Sequence, residues 1–181
     1  LSKLEEGKIM MRRVSFALTD FCKEVLGEMS SVAKPGQKLV HQHQGHPEVY
    51  LDKHLTKNIL LNLLSNAIKY SGEGKKILLA TRVSEHHVTL SVRDQGIGIP
   101  EGEQVHLFER CYRANNATNI QGTGLGLNIV QKYVSLMNGK VEFESALNQG
   151  TTFTVRLPRS EPPAEPASQP EESTDHNQPA S

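Results

Sequence analysis

The sequence predicts an α/β or α+β domain, in which helices pack against a sheet. Stretches with the apolar spacing of helices alternate with strand-like stretches, and no internal repeat occurs. The chain has 181 residues, of which 36% are hydrophobic, and this suits one domain with a single core. No apolar run approaches the ~18 residues that a membrane span requires, so no membrane contact by this chain is expected.

The first part of the chain predicts two strands and one helix. Residues 13–15 predict a short strand, and residues 38–44 predict a second one. Between them, residues 18–32 carry apolar side chains at the spacing of an amphipathic helix, which ends before Pro35-Gly36. The apolar positions of this helix are Leu18, Phe21, Cys22, Val25, Leu26 and Met29.

A longer helix follows. Asp52 is a suitable N-cap for a helix that runs to about Tyr70, and Gly72-Glu73-Gly74 then ends it. Apolar residues recur four apart on one face of this helix, at Leu55, Ile59, Leu63 and Ala67.

The remaining elements complete the sheet. Residues 77–83 and 88–94 predict a strand pair joined by residues 84–87. The polar stretch over 95–121 shows few regular patterns, and a loop of this length in a compact domain is more often functional than incidental. The last elements are a helix over 122–138 with Gly139 as its C-cap, and a hairpin of strands 141–145 and 151–157.

The charges are unevenly placed along the chain. The formal net charge is zero, which argues against a nucleic-acid partner. Residues 1–158 carry 19 basic and 15 acidic side chains, whereas residues 159–181 carry Arg159 and five acids. This terminal segment holds five of the nine prolines and no Leu, Ile, Val or aromatic residue. It therefore predicts a disordered tail, with a short acidic docking motif as the alternative.

Two cysteines, Cys22 and Cys111, lie far apart in the sequence without a C-x-x-C pair. This spacing argues against a disulfide framework and favours a reducing, cytoplasmic compartment.

Two kinds of suggestive motif do not hold. Gly74-Lys75 and Gly139-Lys140 lack the Ser or Thr and the earlier glycine of a phosphate-binding P-loop. His41, His43 and His46 resemble a metal cluster, but a third ligand at matching geometry is not evident. An exposed strand that runs into a Gly-His-Pro turn is the simpler interpretation of these histidines.

An asparagine stripe is the first segment that indicates chemistry. Asn58, Asn62 and Asn66 lie four apart on one face of the long helix, and Lys69 and Tyr70 follow them. A solvated face is the alternative, but solvated faces favour Lys and Glu over Asn, which is a middling helix former. The stripe therefore predicts a functional surface.

Two further segments lie in and before the long loop. Asp94 ends a strand and precedes Gly96 and Gly98, which let the backbone approach a planar ligand. The carboxylate can then accept a hydrogen bond, for example from an adenine amino group. Residues 107–113 place aromatic residues among cations, and this segment serves either as a loop anchor or to bring Arg113 to a polyphosphate.

A glycine-rich segment opens the last predicted helix. Its pattern is G-x-G-x-G, one residue short of the dinucleotide fingerprint, and no acidic residue ends a strand about twenty positions on. The glycines permit a close approach, and the free N–H groups and dipole of a helix N-terminus favour phosphate. The segment consists of Gly122, Thr123, Gly124, Leu125, Gly126 and Leu127.

In this order, the four segments resemble the N, G1, F and G2 boxes of the catalytic ATP-binding domain of sensor histidine kinases, in the GHKL superfamily. Residues 150–158 are similar to the closing strand of that family. The resemblance covers about residues 12–158. It implies the GHKL-type fold, an α/β (α+β) two-layer sandwich in which a mixed sheet packs against about three helices and ATP is held between helices under a mobile ATP lid. Residues 1–11 resemble the end of a dimerisation-domain helix and its linker.

The resemblance implies a role for each matching residue. Asn66 is the implied Mg²⁺ ligand with Asn62 beside it, and one amide suffices because Mg²⁺ relies on water and phosphate oxygens. The other implied contacts are Lys69 and Arg113 to the phosphates, Tyr70 to the adenine, Asp94 to the adenine amino group, and Thr151 to Asp94 through water. Gly122, Gly124 and Gly126 are the implied lid hinge and phosphate-facing helix start.

The implied reaction transfers the γ-phosphate of ATP to a histidine of a dimerisation domain, in a homodimeric parent protein that is either free or membrane-anchored. A response regulator receiver domain would take the phosphate next. None of the eight histidines lies in an H-box pattern, so the chain is expected to bind ATP but not to autophosphorylate alone.

Two alternatives share this scaffold, a regulatory GHKL-type ATP-binding module and an anti-sigma-type serine kinase. The hydrolysing ATPases of the GHKL superfamily resemble one another in carrying a glutamate at the position that matches Asn62. This glutamate activates water. Because asparagine has no basic carboxylate, slow ATP hydrolysis is expected here.

Overall fold

A computed structural model of the chain describes residues 10–109 and 126–164. Predictions for residues 1–9, 110–125 and 165–181 lie outside the described residues. No helix within the described ranges combines the length and the apolar character needed to cross a membrane. The elements are β1 (Arg13–Ala17), α1 (Leu18–Ser30), β2 (Lys38–Gly45), β3 (Glu48–Asp52), α2 (Lys53–Tyr70), β4 (Lys76–Val83), β5 (His87–Arg93), a 3₁₀ helix (Glu101–His106), α3 (Gly126–Leu136), β6 (Lys140–Ala146) and β7 (Gly150–Pro158).

Five strands form one mixed sheet in the order β2-β4-β5-β7-β6, and β1 pairs with β3 in a separate antiparallel ribbon. β2 and β4 are parallel, because β3 and α2 cross over between them. The other neighbours in the large sheet are antiparallel. The predicted mixed sheet is confirmed.

The helices cover one face of the large sheet. Along β4, Ile77, Leu79 and Val83 are buried and alternate with less buried residues. The same two-residue period continues on β5 and β7, as expected for strands with one face against a core. α1 packs on β2, α2 on β5 and α3 on β6, and α2 contacts both other helices. This arrangement is the predicted two-layer sandwich.

Helix α2 forms as its sequence predicts. The Asp52 carboxylate accepts a hydrogen bond from the backbone N–H of Leu55 at 2.9 Å and another from the N–H of Arg12 at 2.8 Å. The cap therefore also joins α2 to the residue before β1. The four predicted core positions, Leu55, Ile59, Leu63 and Ala67, are all buried.

Strand β3 was not predicted. Its Val49 and Leu51 are buried and Tyr50 is half-buried, so the strand has an alternating pattern, but one that spans five residues. β3 ends at Asp52, which is also the N-cap of α2, so in the sequence the strand is read as part of the helix start. Pairing with β1 provides the backbone hydrogen bonds that make the short segment a strand.

Helix α3 ends at Leu136, two residues before the predicted end, and its left-handed residue lies one position before the predicted one. Asn138, not Gly139, takes the left-handed conformation, with φ of 58°. Gly139 donates its N–H to the Val134 carbonyl at 2.9 Å. A Cβ on Gly139 would lie 2.6 Å from the Arg156 carbonyl oxygen, so this glycine allows the chain to pass close to β7.

His41 and His43 share a face of β2, and both are half-buried, whereas the sequence predicted an exposed strand. His41 Nε2 and His43 Nδ1 lie 2.9 and 2.8 Å from the hydroxyl of the buried Thr81. Burial lowers the pKa of His41, and the charges of His43 and Lys23 lower it further. Among the described residues, no group of three or more His, Cys, Asp or Glu could hold a metal ion.

The contacts of the domain continue beyond β7 into the predicted tail. The Arg159 N–H donates to the His86 carbonyl at 2.9 Å, and its Nη1 donates to the Ser84 carbonyl at 3.0 Å. Arg159 also pairs with Glu161 at 3.5 Å. The first residue of that segment is therefore fixed to the β4–β5 connection.

Candidate functional site

The asparagine stripe of α2 faces the start of α3. Asn62 Nδ2 donates back to the Asn58 carbonyl at 2.7 Å, which leaves its oxygen to point away from the helix backbone. A Cβ on Gly126 would lie 3.0 Å from Asn62 Oδ1. A glycine at the first residue of α3 thus lets this helix begin against the amide of Asn62.

Asn66 lies one turn after Asn62 on the same half-buried face. Its side chain makes no hydrogen bond to any residue in the described ranges, whereas the amides of Asn58 and Asn62 both bond back to the helix. Its amide oxygen is therefore available for a ligand. Lys69, three residues on, is exposed at the same end of α2.

Asp94 provides a buried carboxylate just past the end of β5. Its side chain is 8% exposed, and Oδ1 accepts hydrogen bonds from the N–H groups of Gly96 at 2.9 Å and Thr151 at 3.2 Å. Burial raises the pKa of Asp94, and the two hydrogen bonds act in the opposite direction. Within the described residues Oδ2 receives no hydrogen bond, so this oxygen can accept one from a ligand.

The loop after Asp94 crosses the C-terminal end of α2. The N–H of Ile97 donates to the Tyr70 carbonyl at 3.2 Å, and a Cβ on Gly96 would lie 2.2 Å from that carbonyl oxygen. Gly98 has a φ of +69°, and a Cβ there would lie 2.1 Å from the Ala146 carbonyl oxygen. Both glycines are therefore required by the close approach of the chain to itself, and their approach to a ligand stays a prediction.

Two residues that sequence analysis missed hold the C-terminal end of α2. The carbonyl groups at a helix C-terminus lack intrahelical partners and attract cations. Lys34 and Gln37, on either side of Pro35-Gly36, supply these partners. Lys34 Nζ donates to the carbonyls of Lys69 and Ser71 at 2.8 Å each, and Gln37 Nε2 donates to those of Ile68, Ser71 and Gly72 at 3.2 Å each.

The described site residues are linked through α2. Asn62 meets Gly126, and the loop after Asp94 meets Tyr70 and Thr151, so α2 is the element common to both contacts. Leu127 packs against the core next to Gly126. The predicted site residues Arg113, Gly122, Thr123, Gly124 and Leu125 lie outside the described residues.

Comparison with known proteins decides the family. The profile of the family described as histidine kinase-, DNA gyrase B-, and HSP90-like ATPase matches residues 51–161, which include α2, the loop after Asp94 and β7. The chain belongs to this family. The recognition of a GHKL catalytic and ATP-binding domain from its sequence motifs is thereby confirmed.

Relatives in this ATPase family are sensor kinases of greater length. The circadian input-output histidine kinase CikA of Synechococcus elongatus is 34% identical over 164 residues, which cover 87% of this chain and 22% of CikA. The sensor histidine kinase YvrG of Bacillus subtilis is 40% identical over 111 residues, which cover 61% of this chain and 19% of YvrG. The chain thus spans about a fifth of the length of these curated relatives.

Solved structures of the family share the fold. The mycobacterial sensor histidine kinase MprB superposes with a TM-score of 0.72 at 27% identity, over 81% of this chain and 98% of the MprB chain. Full-length ShkA in complex with AMPPNP superposes with a TM-score of 0.78 at 26% identity, over 90% of this chain and 34% of ShkA. The family and the nucleotide complex of ShkA support ATP as the ligand.

Proposed function

We propose that this domain binds Mg²⁺-ATP and donates the γ-phosphate to a histidine on a dimerisation domain outside this chain. A receiver domain of a response regulator would then take the phosphate onto an aspartate. The observation that carries the proposal is the buried Asp94 carboxylate, with Oδ1 fixed by two backbone N–H groups and Oδ2 open. In this arrangement residues 12–158 form the catalytic domain, residues 1–11 belong to the dimerisation helix and its linker, and residues 159–181 form a tail.

The adenine end of the proposed site is built from Asp94, Tyr70 and Thr151. A buried carboxylate needs a hydrogen-bond donor, and the 6-amino group of adenine supplies one to Oδ2. The contact between the Ile97 N–H and the Tyr70 carbonyl fixes the end of α2 against the same loop, and the Tyr70 ring would contact the base. Gly96 and Gly98 hold the backbone of this loop in place.

The phosphate end is built from the amide stripe. Asn66 offers a half-buried amide oxygen without a protein partner in the described ranges, which fits a hard cation that takes most of its ligands from water and phosphate. Mg²⁺ would supply neutralisation of phosphate charge there. Lys69 and Arg113 would bind phosphate oxygens directly, and the helix start at Gly122, Thr123, Gly124, Leu125, Gly126 and Leu127 would present N–H groups to them.

Phosphotransfer rather than hydrolysis fits the residue at position 62. Asn62 contacts the start of α3 through an amide, which cannot take a proton from water as a carboxylate does. ATP held in this site should therefore persist until an acceptor histidine arrives. Positioning and charge neutralisation, which this domain supplies, account for most of the catalysis of phosphoryl transfer.

The test mixes this chain with a separate fragment that carries a dimerisation domain with an H-box histidine. We expect acid-labile phosphorylation of the fragment with Mg²⁺-ATP, and its loss in the Asn66→Ala and Asp94→Ala variants. Asn58→Ala is the matched control, since the Asn58 side chain bonds back to the His54 carbonyl. ATP binding without any transfer to the fragment would contradict the kinase proposal and favour a regulatory ATP-binding module.

Thermal unfolding provides the check on ligand binding. A ligand that binds the native state raises its stability, so Mg²⁺-ATP and Mg²⁺-ADP should raise the melting temperature and Mg²⁺-GTP should raise it less. If adenine nucleotides leave the melting temperature unchanged at millimolar concentration, the site does not have the proposed ligand.

A further inference from the structure

Ser145, near the end of β6, joins three hydrogen bonds beside the proposed adenine site. Its Oγ accepts from the N–H of Ile99 at 2.8 Å, lies 2.8 Å from Thr151 Oγ1, and donates to the Gly150 carbonyl at 3.3 Å. Ser145 and Thr151 are direct cross-strand partners in the β6–β7 pair. Ser145 therefore connects the loop after β5 with the start of β7.

The hydroxyls of Ser145 and Thr151 lie 2.8 Å apart, and either can be the donor. The direction that also satisfies the Gly150 carbonyl has Ser145 donating to that carbonyl and Thr151 donating to Ser145. The Ser145 oxygen then accepts two hydrogen bonds and donates one, which is its full capacity. Thr151 has committed its own proton and can act only as an acceptor toward a ligand or a bridging water.

Asp94 is the next residue in the same cross-strand row. The N–H of Asp94 donates to the Thr151 carbonyl at 2.9 Å, and the N–H of Thr151 donates to Asp94 Oδ1 at 3.2 Å. The row thus provides two acceptors on paired residues, Thr151 Oγ1 and Asp94 Oδ2. A 6-amino group of a purine can donate to this pair, whereas a 6-oxo group at the same position is itself an acceptor and can donate to neither.

We propose that Ser145 is a specificity-determining positioning residue, which holds the Thr151 hydroxyl as an acceptor and thereby favours 6-aminopurine over 6-oxopurine nucleotides. This inference rests on the proposed function, because it assigns how the same site recognises its base. Gln104 supports the arrangement from the 3₁₀ helix, since its Nε2 donates to the carbonyls of Ile99 at 3.0 Å and Ser145 at 3.3 Å. Both partners of the Ser145–Ile99 hydrogen bond are held in this way.

The test compares the dissociation constants of ATP and ITP, whose bases differ at the 6-position, by calorimetry on the full chain. In Ser145→Ala the Thr151 hydroxyl is free to rotate and donate to a 6-oxo group, so the preference for ATP should fall by about three- to tenfold. Ser145→Thr retains the hydroxyl and should retain the preference. Ser91→Ala, which changes a half-buried serine on the opposite face of the sheet, is the matched control and should change nothing.

A double-mutant cycle separates this role from a purely structural one. Thr151→Val removes the hydroxyl that Ser145 orients, so Ser145→Ala should have no further effect on the ATP-to-ITP ratio in that background. If Ser145→Ala or Thr151→Val weakens both nucleotides equally, or leaves the ratio unchanged while the unsubstituted chain binds ATP, the inference is wrong. If the unsubstituted chain binds neither nucleotide, the proposed function itself fails.

Discussion

Asn62 and Gly126 meet where helices α2 and α3 come together: a Cβ on Gly126 would lie 3.0 Å from the amide oxygen of Asn62. The contact joins the asparagine stripe to the helix start that is proposed to face phosphate. An added Cβ would therefore displace the end of the Asn62 side chain, so this glycine affects both the helix contact and the proposed site.

Gly126→Ala should separate stability from binding. At the first residue of α3, the preference for alanine over glycine is smaller than the roughly 1 kcal/mol of a helix interior, and it partly offsets the cost of moving the end of the Asn62 side chain. We expect the free energy of unfolding to change by less than about 1 kcal/mol and ATP affinity to fall by about tenfold, because the amide is displaced. Denaturant unfolding and calorimetry measure the two effects. Unchanged affinity would show that the position of the Asn62 amide is not important for the nucleotide.

Asp94→Asn should weaken ATP binding without disturbing the loop. The asparagine oxygen can still accept from the N–H groups of Gly96 and Thr151, which keeps the Oδ1 hydrogen bonds. Its NH₂ group, however, replaces Oδ2 and faces the 6-amino group of adenine donor to donor. We expect ATP affinity to fall by at least about tenfold and ITP affinity to fall less. If ATP and ITP lose affinity equally, the base does not contact Asp94.

Asp94→Asn should also change how the stability of the nucleotide-free chain depends on pH. Burial raises the pKa of Asp94 in the folded state, so between the ordinary carboxyl pKa of about 3.9 and the raised value the folded state binds more protons than the unfolded state. Stability from this group therefore falls as pH rises through that window and stays low above it. Asp94→Asn should gain stability relative to the unsubstituted chain across the window, as measured by urea unfolding at a series of pH values. If the difference in free energy of unfolding between the two chains shrinks as pH rises, the pKa of Asp94 is not raised by burial.

Gly150→Ala should be far more destabilising than Gly102→Ala. Gly150 has a φ of +105°, and a Cβ there would lie 2.2 Å from the Asp94 carbonyl oxygen, so the backbone beside the carboxylate would have to move. Gly102, in the exposed 3₁₀ helix, has nothing within 4 Å of an added Cβ. We expect a loss of roughly 3 kcal/mol or more for Gly150→Ala and less than about 1 kcal/mol for Gly102→Ala by denaturant unfolding. Similar losses in the two variants would contradict the close approach.

Local patterns predicted the helices and most strands, because the driving signal lies within each segment. The four-residue spacing of Leu55 and Ile59 in α2 is an example, since a helix turns the same positions onto one face in any context. Strand β3 was missed because five alternating residues are a weak signal beside the Asp52 cap. The left-handed residue at the end of α3 was misplaced because both asparagine and glycine tolerate that conformation.

The candidate site was predictable only where a residue acts through its own motif. Asp94 and the asparagine stripe belong to recognisable segments, whereas Lys34 and Ser145 act through contacts with residues distant in sequence or across a strand pair. Lys34 contacts the carbonyl of Lys69, 35 positions on, and a sequence of one chain gives no signal for such a pair. Strand register, which places Ser145 opposite Thr151, follows only from the assembled sheet.

Asn62→Glu should convert slow ATP hydrolysis into measurable turnover. A carboxylate at this position can accept a proton from a water near the phosphate end, which the amide cannot do, and general-base catalysis typically contributes a factor of about 10² to 10⁴. The contact with Gly126 leaves little room for a longer side chain, so we expect a gain nearer tenfold, measured as phosphate release with Mg²⁺-ATP. Asn58→Glu adds the same charge one turn earlier, where the side chain points to the His54 carbonyl, and should have no such effect. Equal gains in both variants would attribute the effect to charge alone, and no gain in Asn62→Glu, in a variant that still binds ATP, would show that water does not reach the phosphate beside position 62.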